Sequence, residues 1–253
     1  MDVLLDHPRV IFAVSLIALW LATRAGAYVE TRWSPLPDEE RDDFRTVVAA
    51  TLTLLGLLIG FSFSMAVSRY DQRQDYEEAE ANAIGTEYVR AGFLQPSAGA
   101  SVKGLLKKYL DLRIRFYEER SDDNVARIDK DTLRLQNDLW SAIEPITAAQ
   151  PTPIVALAAA GMNDVLNAQG YTQAAWWNRI PTTAWELMAA TAIACCALVG
   201  YIGHMARRST MLILPVVLST AFFLVADIDS PRHGLIRVLP RNLISLTNSL
   251  PSR

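Results

Sequence analysis

Cysteine is almost missing from this sequence: of 253 residues, only Cys195 and Cys196 carry a thiol. They are adjacent within an apolar run, and neighbours on a helix point about 100° apart, which argues against a disulfide between them. Histidine is as scarce, with His7, His204 and His233 widely separated along the chain. No glycine-rich phosphate loop, paired-cysteine zinc spacing or His-Glu-x-x-His helix occurs. These absences leave no catalytic set, no metal set and no cofactor motif, and point away from an enzyme. A dominant charge is lacking too. The net charge of −3 offers no basic surface, so nucleic acid is not an expected partner. No strand alternation or internal repeat stands out.

What is present is a mixture: 51% hydrophobic and 20% charged residues, unevenly distributed. Thr46 to Val67 has no charged residue and is long enough for a bilayer core, which takes about 20 apolar residues. Leu187 to Gly203 and Ser209 to Ala226 are also uncharged, and His-Met-Ala-Arg-Arg (204–208) between them allows only a tight hairpin. Val10 to Thr23 is shorter. It reaches spanning length if Arg24 snorkels and Ala25 to Val29 continue the helix. A cleavable signal peptide is the rival reading of that segment, opposed by two acids and a single arginine in Met1 to Arg9. Trp176 and Trp177, and then Trp185, precede the third apolar run as interfacial anchors would.

The chain between the second and third runs reads as helix. Tyr70 to Leu94 follows span two without punctuation and ends at Gln95-Pro96-Ser97. Val102 to Glu119 carries an apolar stripe at Leu105, Leu106, Tyr109, Leu112, Phe116 and Tyr117. Arg127 to Ile146 carries a second at Ile128, Leu135, Leu139 and Ile143. Gln150-Pro151-Thr152-Pro153 is a linker before a helix over Ile154 to Asn167. The expected architecture is therefore all-α with four transmembrane helices. Residues 1–69 hold spans one and two, 70–180 a water-exposed helical domain, 181–226 the hairpin of spans three and four, and 227–253 a tail. Four spans put both termini on the side of the central domain. Arginines flanking the spans are nearly balanced, so the positive-inside rule barely decides which side that is. The acid-rich linker Glu30 to Asp43 mildly suggests the outside for itself.

Span two is the most informative segment. Gly56 and Gly60 form a small-xxx-small pair suited to close helix packing. Ser62, Ser64 and Ser68 follow, and then Arg69. Steps at the helical period trace one face through Thr53, Leu57, Phe61, Ser64, Ser68, Asp71, Asp75, Glu78 and Asn82. It passes from apolar to hydroxyl to acidic. A constriction at Thr53, Leu57 and Phe61 opening into a charged vestibule is one way to build a gated ion path. Plain helix packing for the glycines and a solvated surface for the acids are the alternatives.

The run Ile59-Gly60-Phe61-Ser62-Phe63-Ser64-Met65-Ala66-Val67-Ser68-Arg69-Tyr70 resembles the neck helix of bestrophin channels. With Glu80-Ala81-Asn82-Ala83-Ile84-Gly85-Thr86 further on, it is similar to the bacterial bestrophin-like family. Aligned this way, the three neck positions fall on Thr53, Leu57 and Phe61. Thr53 departs from the family's hydrophobic pattern. After span four, Asp227-Ile228-Asp229-Ser230-Pro231-Arg232-His233-Gly234 resembles the element that follows the last bestrophin span, marked here by Asp227, Asp229, Pro231 and Gly234. Its phenylalanine is replaced and the downstream acidic cluster is missing, which favours helix-end or interface roles for the two aspartates over a calcium site. The resemblance implies four spans, a cytoplasmic helical domain, cytoplasmic termini in the cell (inner) membrane, and a homo-oligomer, typically a pentamer, with span two lining its axis.

The function this implies is an oligomeric ion channel in the lipid bilayer that passes inorganic ions. The stripe Asp71, Asp75 and Glu78, repeated around a ring, favours cations by Coulomb attraction. Arg69 and Arg73 would reverse that preference if they turned inward. The alternative is a non-conducting membrane adaptor whose helical domain binds a cytoplasmic partner. A secondary transporter is weaker, since inverted repeats are not evident, although Pro215 interrupts span four.

Overall fold

The computed structural model describes residues 6–32, 37–203 and 210–251, and every regular element among them is helical. The α-helices are α1 (Pro8–Arg32), α2 (Asp38–Arg90), α3 (Pro96–Glu118), α4 (Asp122–Ala149), α5 (Pro153–Trp177), α6 (Thr182–Ile202), α7 (Ile213–Asp229) and α8 (Arg241–Ser249). Short 3-10 turns lie at Ala91–Phe93 and Thr210–Leu212. Their boundaries follow local chemistry. Pro96 and Pro153 open α3 and α5, where a missing N–H costs nothing. The Thr152 hydroxyl caps α5 by accepting from the Val155 amide at 3.3 Å. Asp122 and Asp123 occupy the first turn of α4, where the helix dipole favours negative charge.

Three helical stretches contain windows long and apolar enough to cross a membrane: Pro8–Arg32, Glu40–Phe93 and Pro153–Ile202. Helix α7 is shorter, at 17 residues. Pro215 does not interrupt it, contrary to the reading of the sequence. It is the third residue of α7, inside the first turn, where no intrahelical partner for its nitrogen is lost. The linker read at Glu30 to Asp43 is also shorter than expected. Glu30 lies within α1 and is buried, and Arg41 of α2 donates to its carboxylate at 2.9 Å and to the Ile202 carbonyl at 2.9 Å. The ion pair lets both helices continue past their apolar stretches. The expected hairpin residues 204–208 lie outside the described residues.

The chain divides into two compact units, Met1–Tyr70 with Arg179–Arg237, and Asp71–Asn178 with Val238–Arg253. Helix α2 contributes to both. The core of the first unit gathers Leu19 of α1, Leu55 and Ala66 of α2, Met188, Ala192, Cys195 and Cys196 of α6, and Phe222 of α7. Its closest helix crossing is α1 on α6. A Cβ at Gly26 would collide with the Ala197 carbonyl, and one at Gly200 with the Thr23 carbonyl. Only glycine permits that approach, which in a bilayer replaces the missing hydrophobic drive with dispersion contact. The core of the second unit is built from Leu106, Tyr109, Phe116 and Tyr117 of α3, Leu139 and Ile143 of α4, and Met162, Val165 and Trp176 of α5. The tail is not a loose end: Glu77 and helix α8 meet in this unit.

Candidate functional site: the two faces of helix α2

Helix α2 carries two stripes of opposite character. All nine positions traced from the sequence, Thr53, Leu57, Phe61, Ser64, Ser68, Asp71, Asp75, Glu78 and Asn82, are exposed in the single chain. Leu57 is 54% and Phe61 61% exposed. The other face is buried through Leu55, Ser62, Ala66, Arg73, Glu77, Glu80, Ile84 and Glu87. The helical period thus sends hydroxyls and acids of one stripe outward, and Ser62 alone of the three serines inward.

The glycine pair of this segment makes no close contact within the single chain. Nothing lies within 4 Å of a Cβ built at Gly56 or Gly60. The intrachain approach is made by Gly26 and Gly200 instead. Gly26 and Gly200 sit on α1 and α6, far apart in sequence, so no spacing signal marks them.

The buried face of α2 in the second unit was not legible as such, because its residues are charged. Arg73, 2% exposed, caps the end of α5 by donating to the Ala175 carbonyl at 3.2 Å and the Asn178 carbonyl at 3.2 Å. It therefore does not turn toward the acidic stripe. Glu77 caps the start of α8, accepting from the Asn242 amide at 2.9 Å and the Leu243 amide at 3.0 Å. Glu80 pairs with the fully buried Arg113 guanidinium and also accepts from Tyr117 at 3.3 Å and Thr172 at 3.1 Å. Burial, and then the Glu80 charge, push the Tyr109 and Tyr117 hydroxyls up. Glu87 is fully buried, faces Gly161 of α5 and has no hydrogen-bond partner among the described residues. Burial pushes its carboxyl up to about 8, against the pull of Arg90. The signal in the sequence was the spacing of 73, 77, 80, 84 and 87, a helical stripe hidden by its polarity.

After α7, the aspartates serve the backbone. The Asp227 carboxylate accepts from the Leu235 amide at 2.7 Å and the Ile236 amide at 2.9 Å. Asp229 accepts from the Ile180 amide at 3.2 Å and the Arg179 Nε at 3.1 Å, with Arg69 at 3.9 Å. Arg179 also reaches Asp6. A Cβ at Gly234 would collide with the Asp227 carbonyl, so the turn requires glycine, while Pro231 is half-buried. Both carboxylates accept from backbone amides, and Asp229 also from guanidinium. Among the described residues no group of three or more His, Cys, Asp or Glu is placed to hold a metal ion. His7 and His233, far apart in sequence, have ring centroids 4.8 Å apart, because the chain folds its N-terminal segment onto the turn after α7. His204 lies outside the described residues.

Comparison with known proteins follows the same outline. The model of the bestrophin-like domain matches residues 12–243. A crystal structure of a bacterial bestrophin homolog from Klebsiella pneumoniae, a tryptophan-to-alanine variant, superposes with TM-score 0.66 at 13% identity, covering 94% of this chain and 97% of that one. Another structure of a bestrophin homolog from Klebsiella pneumoniae gives 0.62 at 14% identity, over 95% and 98% of the two chains. At such identity the likeness is one of fold. No curated protein matches.

Proposed function

The chain belongs to the bestrophin-like family, and from that premise we propose that it is an oligomeric ion channel with its path lined by α2. The family is one of ion channels rather than enzymes. The observation that carries the reading is the unbroken exposed stripe on α2. Leu57 and Phe61 alone would suit lipid, but Ser64 and Ser68 on the same face would not, since polar groups at membrane depth face protein or water, and Asp71, Asp75 and Glu78 continue that face beyond the span. Copies of α2 around a common axis give that face a water-filled path and leave Gly56 and Gly60, open in the single chain, as contact points between subunits.

In this reading Thr53, Leu57 and Phe61 form the constriction, and Ser64 to Asn82 the widening vestibule. Four spans, α1, the apolar part of α2, α6 and α7, lie in the cell (inner) membrane, with both termini and the helical domain 70–180 cytoplasmic. The assembly is a pentamer. The ring of Asp71, Asp75 and Glu78 raises the local cation concentration and gives a cation preference, and the inward commitment of Arg73 to α5 removes one counter-charge from the path.

Purified protein in liposomes tests this by ion flux. Phe61→Ala widens the constriction and raises flux above wild type. Equal background flux from both proteins refutes conduction, and a reversal potential favouring chloride in asymmetric salt refutes the cation preference. Exposed Leu133, Trp140 and Ile154 on the second unit favour the adaptor as second reading. A stoichiometric partner retained on purification, without flux, is its signature.

A further inference from the structure

We propose that Glu87, Arg90 and Asp164 form a proton-operated switch at the joint between α2 and α5. With the Glu87 carboxyl protonated, Arg90 pairs outward with Asp164; with it ionised, Arg90 turns inward to Glu87. The other buried charges on this face of α2 are already committed: Arg73 to the end of α5, Glu77 to the start of α8 and Glu80 to Arg113. Glu87 is as deeply buried, with both carboxyl oxygens shielded from solvent and neither bonded among the described residues. Gly161 of α5 makes the room for it. Glu87 Oε2 and Arg90 Nη1 both lie in the space that a Cβ at Gly161 would take. The guanidinium thus stands beside the carboxyl without a hydrogen bond to it, and its Nη1 lies instead 3.8 Å from Asp164 Oδ2.

That arrangement suits a neutral carboxyl. An ionised one in the same place, with no partner, is costly, and the cation within reach is Arg90. Two charged groups act on Glu87: Arg90 from its own helix, which favours ionisation, and Asp164 from α5, which opposes it. Burial outweighs both and pushes the carboxyl up to about 8, so the proton leaves within an ordinary range of pH. Helix α3 brings Lys103, whose ammonium stands over the Tyr88 ring at 5.2 Å from its centroid. Arg90 has the freedom to change partner. It is the last residue of α2, and its side chain is 24% exposed. Asp164 is 66% exposed, so water replaces the guanidinium when Arg90 leaves. A pair that open to water stabilises little, and giving it up costs little. All three residues belong to the second unit, and the switch does not rest on conduction.

The test uses the full chain in detergent micelles and reads no flux. Phenylglyoxal labels accessible guanidinium groups, and mass spectrometry compares Arg90 with Arg134, whose side chain is 79% exposed. In wild type the ratio of Arg90 to Arg134 labelling falls severalfold from one pH unit below about 8 to one unit above, as Arg90 turns inward. In Glu87→Gln, which keeps the shape and never ionises, the ratio stays constant. Infrared titration over the same range follows the carbonyl stretch of neutral carboxylic acids. Wild type loses one such group that Glu87→Gln lacks. Asp164→Asn frees Arg90 and removes a like charge, so it lowers the midpoint of that loss, by roughly tenfold in proton affinity. Should Glu87→Gln fail to fold, Asp164→Asn still decides, because its side chain is exposed. The same pH course of labelling in wild type and Glu87→Gln, or a midpoint unmoved by Asp164→Asn, overturns the proposal.

Discussion

The two units of this chain are fastened by opposite means, although one helix contributes to both. In the first unit α1 and α6 meet through missing side chains: Gly26 and Gly200 let backbone approach backbone, and the neighbouring Thr23 satisfies itself by donating to the Leu19 carbonyl at 2.9 Å. In the second unit α2 meets α3, α5 and α8 through long charged side chains that reach buried partners. The difference teaches what the surroundings allow. Apolar segments expected in lipid gain little from hiding more apolar surface, so close packing is the remaining glue. A domain expected in water gains from burial, and charges survive inside it only where a partner meets them.

The comparison breaks most sharply at Glu80. Replacing it by alanine leaves Arg113 as an uncompensated buried charge and destabilises the second unit by about 3–5 kcal/mol. Thermal unfolding would show this, and Arg113→Met on the same background would recover much of the loss. The first unit should respond next most strongly to volume. Gly200→Val drives side-chain atoms into the Thr23 carbonyl, at a cost of roughly 1–3 kcal/mol or more. Gly56→Val meets nothing within the chain and should leave the fold of a single subunit intact, while size-exclusion chromatography reports whether assembly suffers.

Smaller effects sharpen the contrast. Glu77→Ala removes the cap on α8 and costs about 0.5–2 kcal/mol, visible as faster amide exchange across residues 241–249. Glu87 adds a pH dependence that the first unit's glycine joint cannot have. Its folded pKa, raised by burial from 4.5 to about 8, lies above its unfolded value. The neutral form is the one the fold tolerates, so this contribution is fully present below pH about 4.5 and is lost as pH rises toward 8. Glu87→Gln flattens the slope of stability against pH across that window. An unchanged slope in equilibrium unfolding would mean the carboxylate ionises at no cost.

Much of the fold was legible because it rests on periodicity. The apolar stripe of Leu106, Tyr109, Phe116 and Tyr117 marked the core side of α3, and Gln95-Pro96-Ser97 marked the end of the long helix that precedes it. The residues from Thr53 to Asn82 that share a face could be traced because a helix fixes which positions share a side, and all nine are exposed in the single chain. The inward stripe escaped because Arg73, Glu77 and Glu80 look like solvated charges until their partners, 33 to more than 160 residues away, are known. Helix α8 escaped for the same reason: its first turn is capped by a residue of another helix. The pairing of His7 with His233 depends on a chain reversal that no local pattern records.

By itself, then, the sequence determined which segments are apolar, where the long helices run and which side chains share a face of each. Those properties follow from composition and from 3.6 residues per turn, both local. The tertiary structure alone decided which glycines touch, which charges are buried and which histidines meet. Contacts between distant residues depend on the whole arrangement of helices, and the same charged side chain is solvated or central according to what folds against it.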